Sequence, residues 1–229
     1  MLEEGSEQVS AGGDAPPLAP AAGASGASGT PHASARPAAV TLSPSSSARS
    51  LVVSELARPV FFVGFMGAGK TSVARKLARI CGVASVDMDT YLERREGRRV
   101  KEIFADLGEE GFRAIETDVL RELTQKEPLL VSCGGGVVLR PENRALLRDG
   151  GFVIYLKVTA DEAASRISDK STRPLFNDLD TARATIEGRL PLYDEVADAV
   201  VDTAGKSVGV IAREVRGVLE REGILWQRK

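Results

Sequence analysis

From Arg58 onward the chain alternates between two kinds of apolar pattern. Short continuous runs, VFFVG at 60–64, VASVD at 83–87, PLLVSC at 128–133, FVIYLKV at 152–158 and AVVD at 199–202, have the length of strands and read as buried. Between them apolar residues recur three and four apart. Val73, Ala74, Leu77, Ala78 and Cys81 do so in 70–81, and Phe112, Ile115, Val119 and Leu123 in 109–126. That spacing lays one stripe along a helix. Alternating strands and helices predict an α/β fold, a five-stranded parallel sheet with helices on both faces. Ligands of such sheets gather at the carboxyl ends of the strands.

Residues 1–57 carry none of this pattern. They are rich in Ala, Gly, Ser and Pro, with too few large apolar side chains to offset the entropy of ordering. A disordered low-complexity tail is expected there, ahead of one domain over 58–229. Acidic residues are absent from Ala15 to Ser54, as in a transit peptide, but the chain opens MLEEGSEQ and arginines are few. With no 18-residue apolar run and no charged stretch leading into an apolar one, secretion and membrane spanning are disfavoured and a cytoplasmic location is expected.

Composition narrows the chemistry. A net charge of −2 gives no electrostatic reason to expect nucleic acid or an anionic membrane as partner. The one histidine, His32, lies in the low-complexity segment, which excludes a Ser-His-Asp triad, a Cys-His pair and a histidine metal cluster. Acid–base work must fall to carboxylates, Lys or Tyr. Cys81 and Cys133 lack metal-ligand spacing and sit in apolar runs, so they read as buried thiols.

Residues 64–71, GFMGAGKT, join the first strand to the first helix and fit G-x-x-x-x-G-K-[ST] at Gly64, Gly69, Lys70 and Thr71. Glycines let successive backbone N–H groups turn onto phosphate oxygens, and a helix starting near Lys70 adds the positive end of its dipole. Gly67, Ala68, Gly69, Lys70, Thr71 and Ser72 are therefore the candidate residues for a nucleoside triphosphate. Lys70 would reach the β- and γ-phosphates and the Thr71 hydroxyl would hold Mg²⁺. DTAG at 202–205 mimics a GTPase switch, but it follows the last strand and no N-K-x-D motif accompanies it.

A phosphate cradle does not name an acceptor. The second strand ends in VDMD, which spaces Asp87 and Asp89 to share one side of an extended segment. One carboxylate can steady the metal while the other takes the proton of an incoming hydroxyl. A plainer reading has one of them capping the next helix. Arg113 and Glu116, in FRAIE, stand one helical turn apart, the spacing of an ordinary surface ion pair. The third strand runs into Gly134, Gly135 and Gly136, which permit close backbone approach and offer N–H donors. It lacks the aspartate that other phosphate-loop enzymes place there for the metal, which shifts that duty to Asp87.

With GFMGAGKT, DMD, FRAIE, GGG, STRPL at 171–175 and RLPLYDEVAD at 189–198 in this order, the chain from Arg58 to the last helix resembles the shikimate kinase family. The resemblance implies a monomeric fold similar to nucleoside monophosphate kinases, with a hinged lid. It implies transfer of the γ-phosphoryl group of ATP to the 3-hydroxyl of shikimate, in the pathway to chorismate and the aromatic amino acids. Carried onto this chain, it implies that Asp89 holds the shikimate hydroxyls and acts as base. Arg113 and Arg189 would grip the carboxylate, which suits arginine's planar fork. Gly135 would touch the substrate through its backbone, Glu116 would orient Arg113 and contact the substrate, and Phe104 and Phe112 would wall the ring. Arg173 in the lid would neutralise the transferring phosphoryl group, and Arg166 would lie against adenine. Lys206 stands where many relatives carry an arginine, and the stretch from Arg173 to Arg189 is a few residues shorter than in some of them. The rival readings are a kinase of the same fold acting on gluconate or a nucleoside monophosphate, and a non-catalytic nucleotide-binding module.

Overall fold

A computed structural model describes residues 54–166 and 179–227. The five predicted strands are present as β2 (Val60–Val63), β3 (Ser85–Asp87), β4 (Leu130–Ser132), β5 (Phe152–Lys157) and β6 (Ala199–Asp202). They form one parallel sheet in the order β3-β4-β2-β5-β6. From β2 the chain goes out to the edge at β3, returns through β4, then crosses to β5 and β6. The strand order therefore reverses beside β2, and the carboxyl end of β2 is where a crevice opens.

Both faces of the sheet are covered. Along β2, Val60 and Phe62 pack into one core with Leu77 of α1 (Lys70–Cys81) and Ile211 and Val215 of α7 (Val208–Arg221). Phe61 and Val63 pack into the other, with Val119 and Leu123 of α3 (Val100–Thr124), Leu147 of α4 (Pro141–Gly150) and Tyr193 of α6 (Leu179–Val196). Because side chains alternate along a strand, a run covered twice has no polar position, which is why VFFV reads as uniformly apolar. Helix α1 has the predicted bounds, and its stripe faces the core.

Several expectations need correction. The runs at β3 and β6 are sheet edges rather than buried strands: Ser85 is exposed, and Val200 is 51% exposed. Helix α3 begins nine residues ahead of the predicted start at Glu109, and it bends at Gly108, whose φ of 69° and ψ of −173° suit glycine alone. Ordered structure also reaches into the expected tail. β1 (Ser54–Leu56) pairs antiparallel with β7 (Leu225–Gln227), so the fold starts ahead of Arg58. Both cysteines are buried free thiols. Among the described residues no helix is long and apolar enough to cross a membrane.

Candidate active site

At the end of β2 the backbone turns through Gly64, Gly67 and Gly69, all with positive φ. A Cβ on Gly67, at φ 81°, would stand 2.9 Å from the backbone of Ala163 in α5 (Ala160–Arg166), so the loop is pressed against that helix where only hydrogen fits. Ala68 is fully buried and donates its N–H to the Phe65 carbonyl at 3.2 Å. Gly69 caps α1, leaving the first N–H groups of that helix, around Lys70, Thr71 and exposed Ser72, at the mouth of the loop. The Lys70 ammonium lies back over the loop, 2.8 Å from the Gly64 carbonyl and 3.0 Å from that of Phe65.

Beside the loop lies a knot of oxygens. The Thr71 hydroxyl donates to Asp87 Oδ2 at 2.8 Å and sits 3.0 Å from Ser132 Oγ. Asp87 and Ser132 are register partners in the parallel pair β3 and β4, which is why residues far apart in sequence end side by side. Asp87 also caps α2 (Met88–Glu96) through the Thr90 N–H at 3.1 Å, so the plainer, capping reading holds for its Oδ1 while its Oδ2 faces Thr71. Asp89 does not share an extended segment with Asp87. The strand ends at Asp87, and Asp89 rides on the first turn of α2, because the cap bends the chain into helix one residue on.

The three glycines after β4 bring the remaining candidates together. A Cβ on Gly134 would stand 3.1 Å from both Asp89 Oδ1 and Glu116 Oε1. One on Gly136 would meet the Arg113 guanidinium at 2.4 Å, and one on Gly135 would touch the phosphate loop, 3.5 Å from the Met66 nitrogen. Arg113 Nη1 donates to Glu116 Oε2 at 2.7 Å, and Glu116 is only 2% exposed. This is a sequestered pair, not the surface pair its spacing predicted. Phe112 is buried and stacks on the more exposed Phe104, with centroids 4.4 Å apart. Across the turn, the Arg189 guanidinium lies 5.7 Å from the centroid of the Phe65 ring in the phosphate loop. On the other flank, Arg166 donates to the Thr203 hydroxyl at 2.9 Å and to its carbonyl at 2.6 Å, while Lys206 pairs with Glu214 at 2.8 Å. Arg173 and the flap around it lie outside the described residues.

A family model described as shikimate kinase matches residues 66–220. The chain belongs to the shikimate kinase family. Among curated relatives, the shikimate kinase of Bordetella pertussis is 43% identical over 160 residues, covering 69% of this chain and 76% of that protein. That of Burkholderia lata is 43% identical over 169 residues, covering 72% and 92%. Among solved structures, the shikimate kinase from Acinetobacter baumannii in complex with shikimate superposes with a TM-score of 0.68 at 34% identity, over 72% of this chain and 94% of that one.

One carboxylate of the site is shifted by its surroundings. Burial pushes the Glu116 carboxyl above its ordinary range; Arg113 opposes the shift and the negative charge of Asp89 adds to it. Burial likewise raises the Cys133 thiol far above its usual range, so it is no nucleophile despite lying next to the glycine turn. Two side chains escaped the sequence reading. Ser132 ends β4 in register with Asp87 and 3.0 Å from the Thr71 hydroxyl, and a polar residue at the end of a buried run is its only signal. Tyr193 donates to the Gly135 carbonyl at 2.5 Å, and nothing local in PLYDE marks it.

Proposed function

We propose that the chain transfers the γ-phosphoryl group of ATP to the 3-hydroxyl of shikimate, giving ADP and shikimate 3-phosphate on the way to chorismate and the aromatic amino acids. The observation that carries this reading is the Gly134–Gly136 turn, which has Asp89, Glu116 and Arg113 against it on one side and the phosphate loop on the other. Donor and acceptor are thereby held in one crevice, which removes most of the entropic cost of bringing them together.

The loop from Gly67 to Gly69 and the start of α1 at Lys70, Thr71 and Ser72 cradle the triphosphate. Lys70 exchanges loop carbonyls for phosphate oxygens, and Arg166 flanks the base. Asp89 accepts the 3-hydroxyl proton as that oxygen bonds to the γ-phosphorus and the bond to the bridging oxygen of ADP breaks. Arg113, steadied by Glu116, and Arg189 hold the carboxylate, the glycine turn supplies backbone donors, and Phe104 and Phe112 cover the ring. Arg173 is assigned from the sequence as the lid cation on the phosphates.

The oxygens of Thr71, Asp87 and Ser132 fit Mg²⁺, which takes a few hard protein ligands and otherwise keeps water and phosphate. No cluster of three or more His, Cys, Asp or Glu suited to a metal exists among the described residues, so a dedicated all-protein cage is not the alternative. When bound, the ion would offset charge on the β- and γ-phosphate oxygens. The same reading takes the enzyme as a cytoplasmic monomer whose partners are small molecules, without nucleic acid or membrane, in keeping with the net charge of −2.

An ADP-release assay with shikimate, gluconate and nucleoside monophosphates as acceptors tests this. Shikimate-dependent release is the expected result. Turnover on another acceptor alone would overturn the substrate, and ATP binding without turnover on any acceptor would leave a nucleotide-binding module.

A further inference from the structure

Tyr193 is wholly buried in α6, one helical turn past Arg189. Its ring stacks on Tyr155 of β5, with centroids 5.1 Å apart and an interplanar angle of 23°. Its hydroxyl donates to the Gly135 carbonyl at 2.5 Å, from the same helix that carries Arg189. One phenol oxygen therefore ties α6, the helix that carries Arg189, to the glycine turn. Burial holds the proton on this phenol well above the usual tyrosine range, with Arg189 opposing, so it remains a donor.

Peptide planarity carries the contact onward. In a trans peptide the N–H points opposite to the preceding C=O, so a Gly135 carbonyl fixed on Tyr193 aims the Gly136 N–H away from Tyr193. Gly136 is the residue against which the Arg113 guanidinium lies. A second tie keeps α6 in register with the turn. Arg144 donates to the Val138 carbonyl at 2.9 Å, and its Nε lies 2.8 Å from Glu195 Oε2, two residues beyond Tyr193.

We propose that Tyr193 is a positioning residue for shikimate, its hydroxyl setting the Gly135–Gly136 peptide and, by tying α6 to it, the place of Arg189 relative to that turn, in the one arrangement that receives the substrate. This rests on the reading of Arg189 and the glycine turn as substrate-binding. Tyr193→Phe in the full chain keeps the ring and its stacking and removes the hydroxyl. The KM for shikimate should rise about five- to tenfold, the worth of one oriented hydrogen bond. The KM for ATP should stay within about twofold, a split that general loosening of the fold would not produce.

Arg189→Ala, measured in parallel, should also raise the KM for shikimate, and the double variant should fall short of the product of the two single effects. Tyr193→Phe with an unchanged KM, or with both KM values raised alike, overturns the proposal. Arg189→Ala without effect instead overturns the substrate-site reading beneath it. A second readout does not depend on the variant folding. In protein carrying 3-fluorotyrosine at its three tyrosines, the Tyr193 fluorine resonance should shift on adding shikimate and not ADP; no shift with shikimate overturns the proposal.

Discussion

At the scale of single residues, two carboxylates at one turn sit in different environments. Asp89 is exposed and Glu116 buried, yet both carboxylates face Gly134. The buried one is paired with Arg113, and the exposed one is the proposed base. Asp89→Asn should lower turnover by about 10²-fold or more with ATP affinity retained, because a general base contributes on that order. Steady-state turnover alongside ATP titration checks it, and undiminished turnover would remove Asp89 from the base role. Glu116 gives a pH signature. Its folded pKa lies above the ordinary 4.5, so its proton is held more tightly in the folded protein than in the unfolded chain. That contribution to stability is present below the unfolded value and is lost as pH rises through the folded one. Relative to wild type, Glu116→Gln should therefore gain in Tm as pH is raised from about 4 to about 7. A pH-independent difference would mean that Arg113 cancels the burial.

At the scale of elements, glycine conformation decides what the helices can present. Gly108 separates the part of α3 that carries Phe104 from the part that carries Phe112, Arg113 and Glu116. Gly108→Ala should cost about 1–3 kcal/mol, since φ 69° with ψ −173° is closed to other residues. Because relief of that strain would move Phe104 off Phe112, the KM for shikimate should rise as well. Denaturant unfolding and shikimate kinetics read the two effects, and a variant with unchanged stability would show that the bend is not fixed by this residue.

The elements also show what the sequence can reveal. The phosphate loop, α1 and the strands were legible because each is written in neighbouring residues: apolar runs, a stripe, a glycine pattern. The Asp87–Ser132 register, the Gly135–Tyr193 contact and the pairing of β1 with β7 join residues distant in the chain, and no local pattern records such a meeting. Asp89 was misplaced for the converse reason. A period-two spacing was extended one residue past the point where the Asp87 cap had already started a helix.

At the scale of the whole molecule, the chemistry and the fastening lie at opposite ends of the sheet. The crevice is at the carboxyl ends of the strands, whereas β1 precedes the amino end of β2 and fixes it through the Ala57 N–H to Ile224 carbonyl bond at 2.9 Å. Leu56 in this clasp is 8% exposed, and burying such a side chain is worth about 1.5–3 kcal/mol. A truncation starting at Arg58 should lose roughly that much stability against one starting at Ser54, with KM values unaltered. Equal unfolding midpoints would show the clasp to be ornamental.

Since Ser54 faces Gln227 across that pair, the two ends of the described fold are neighbours. Joining them through a short peptide and reopening the chain in an exposed loop elsewhere should yield a circular permutant that still assembles the same catalytic crevice.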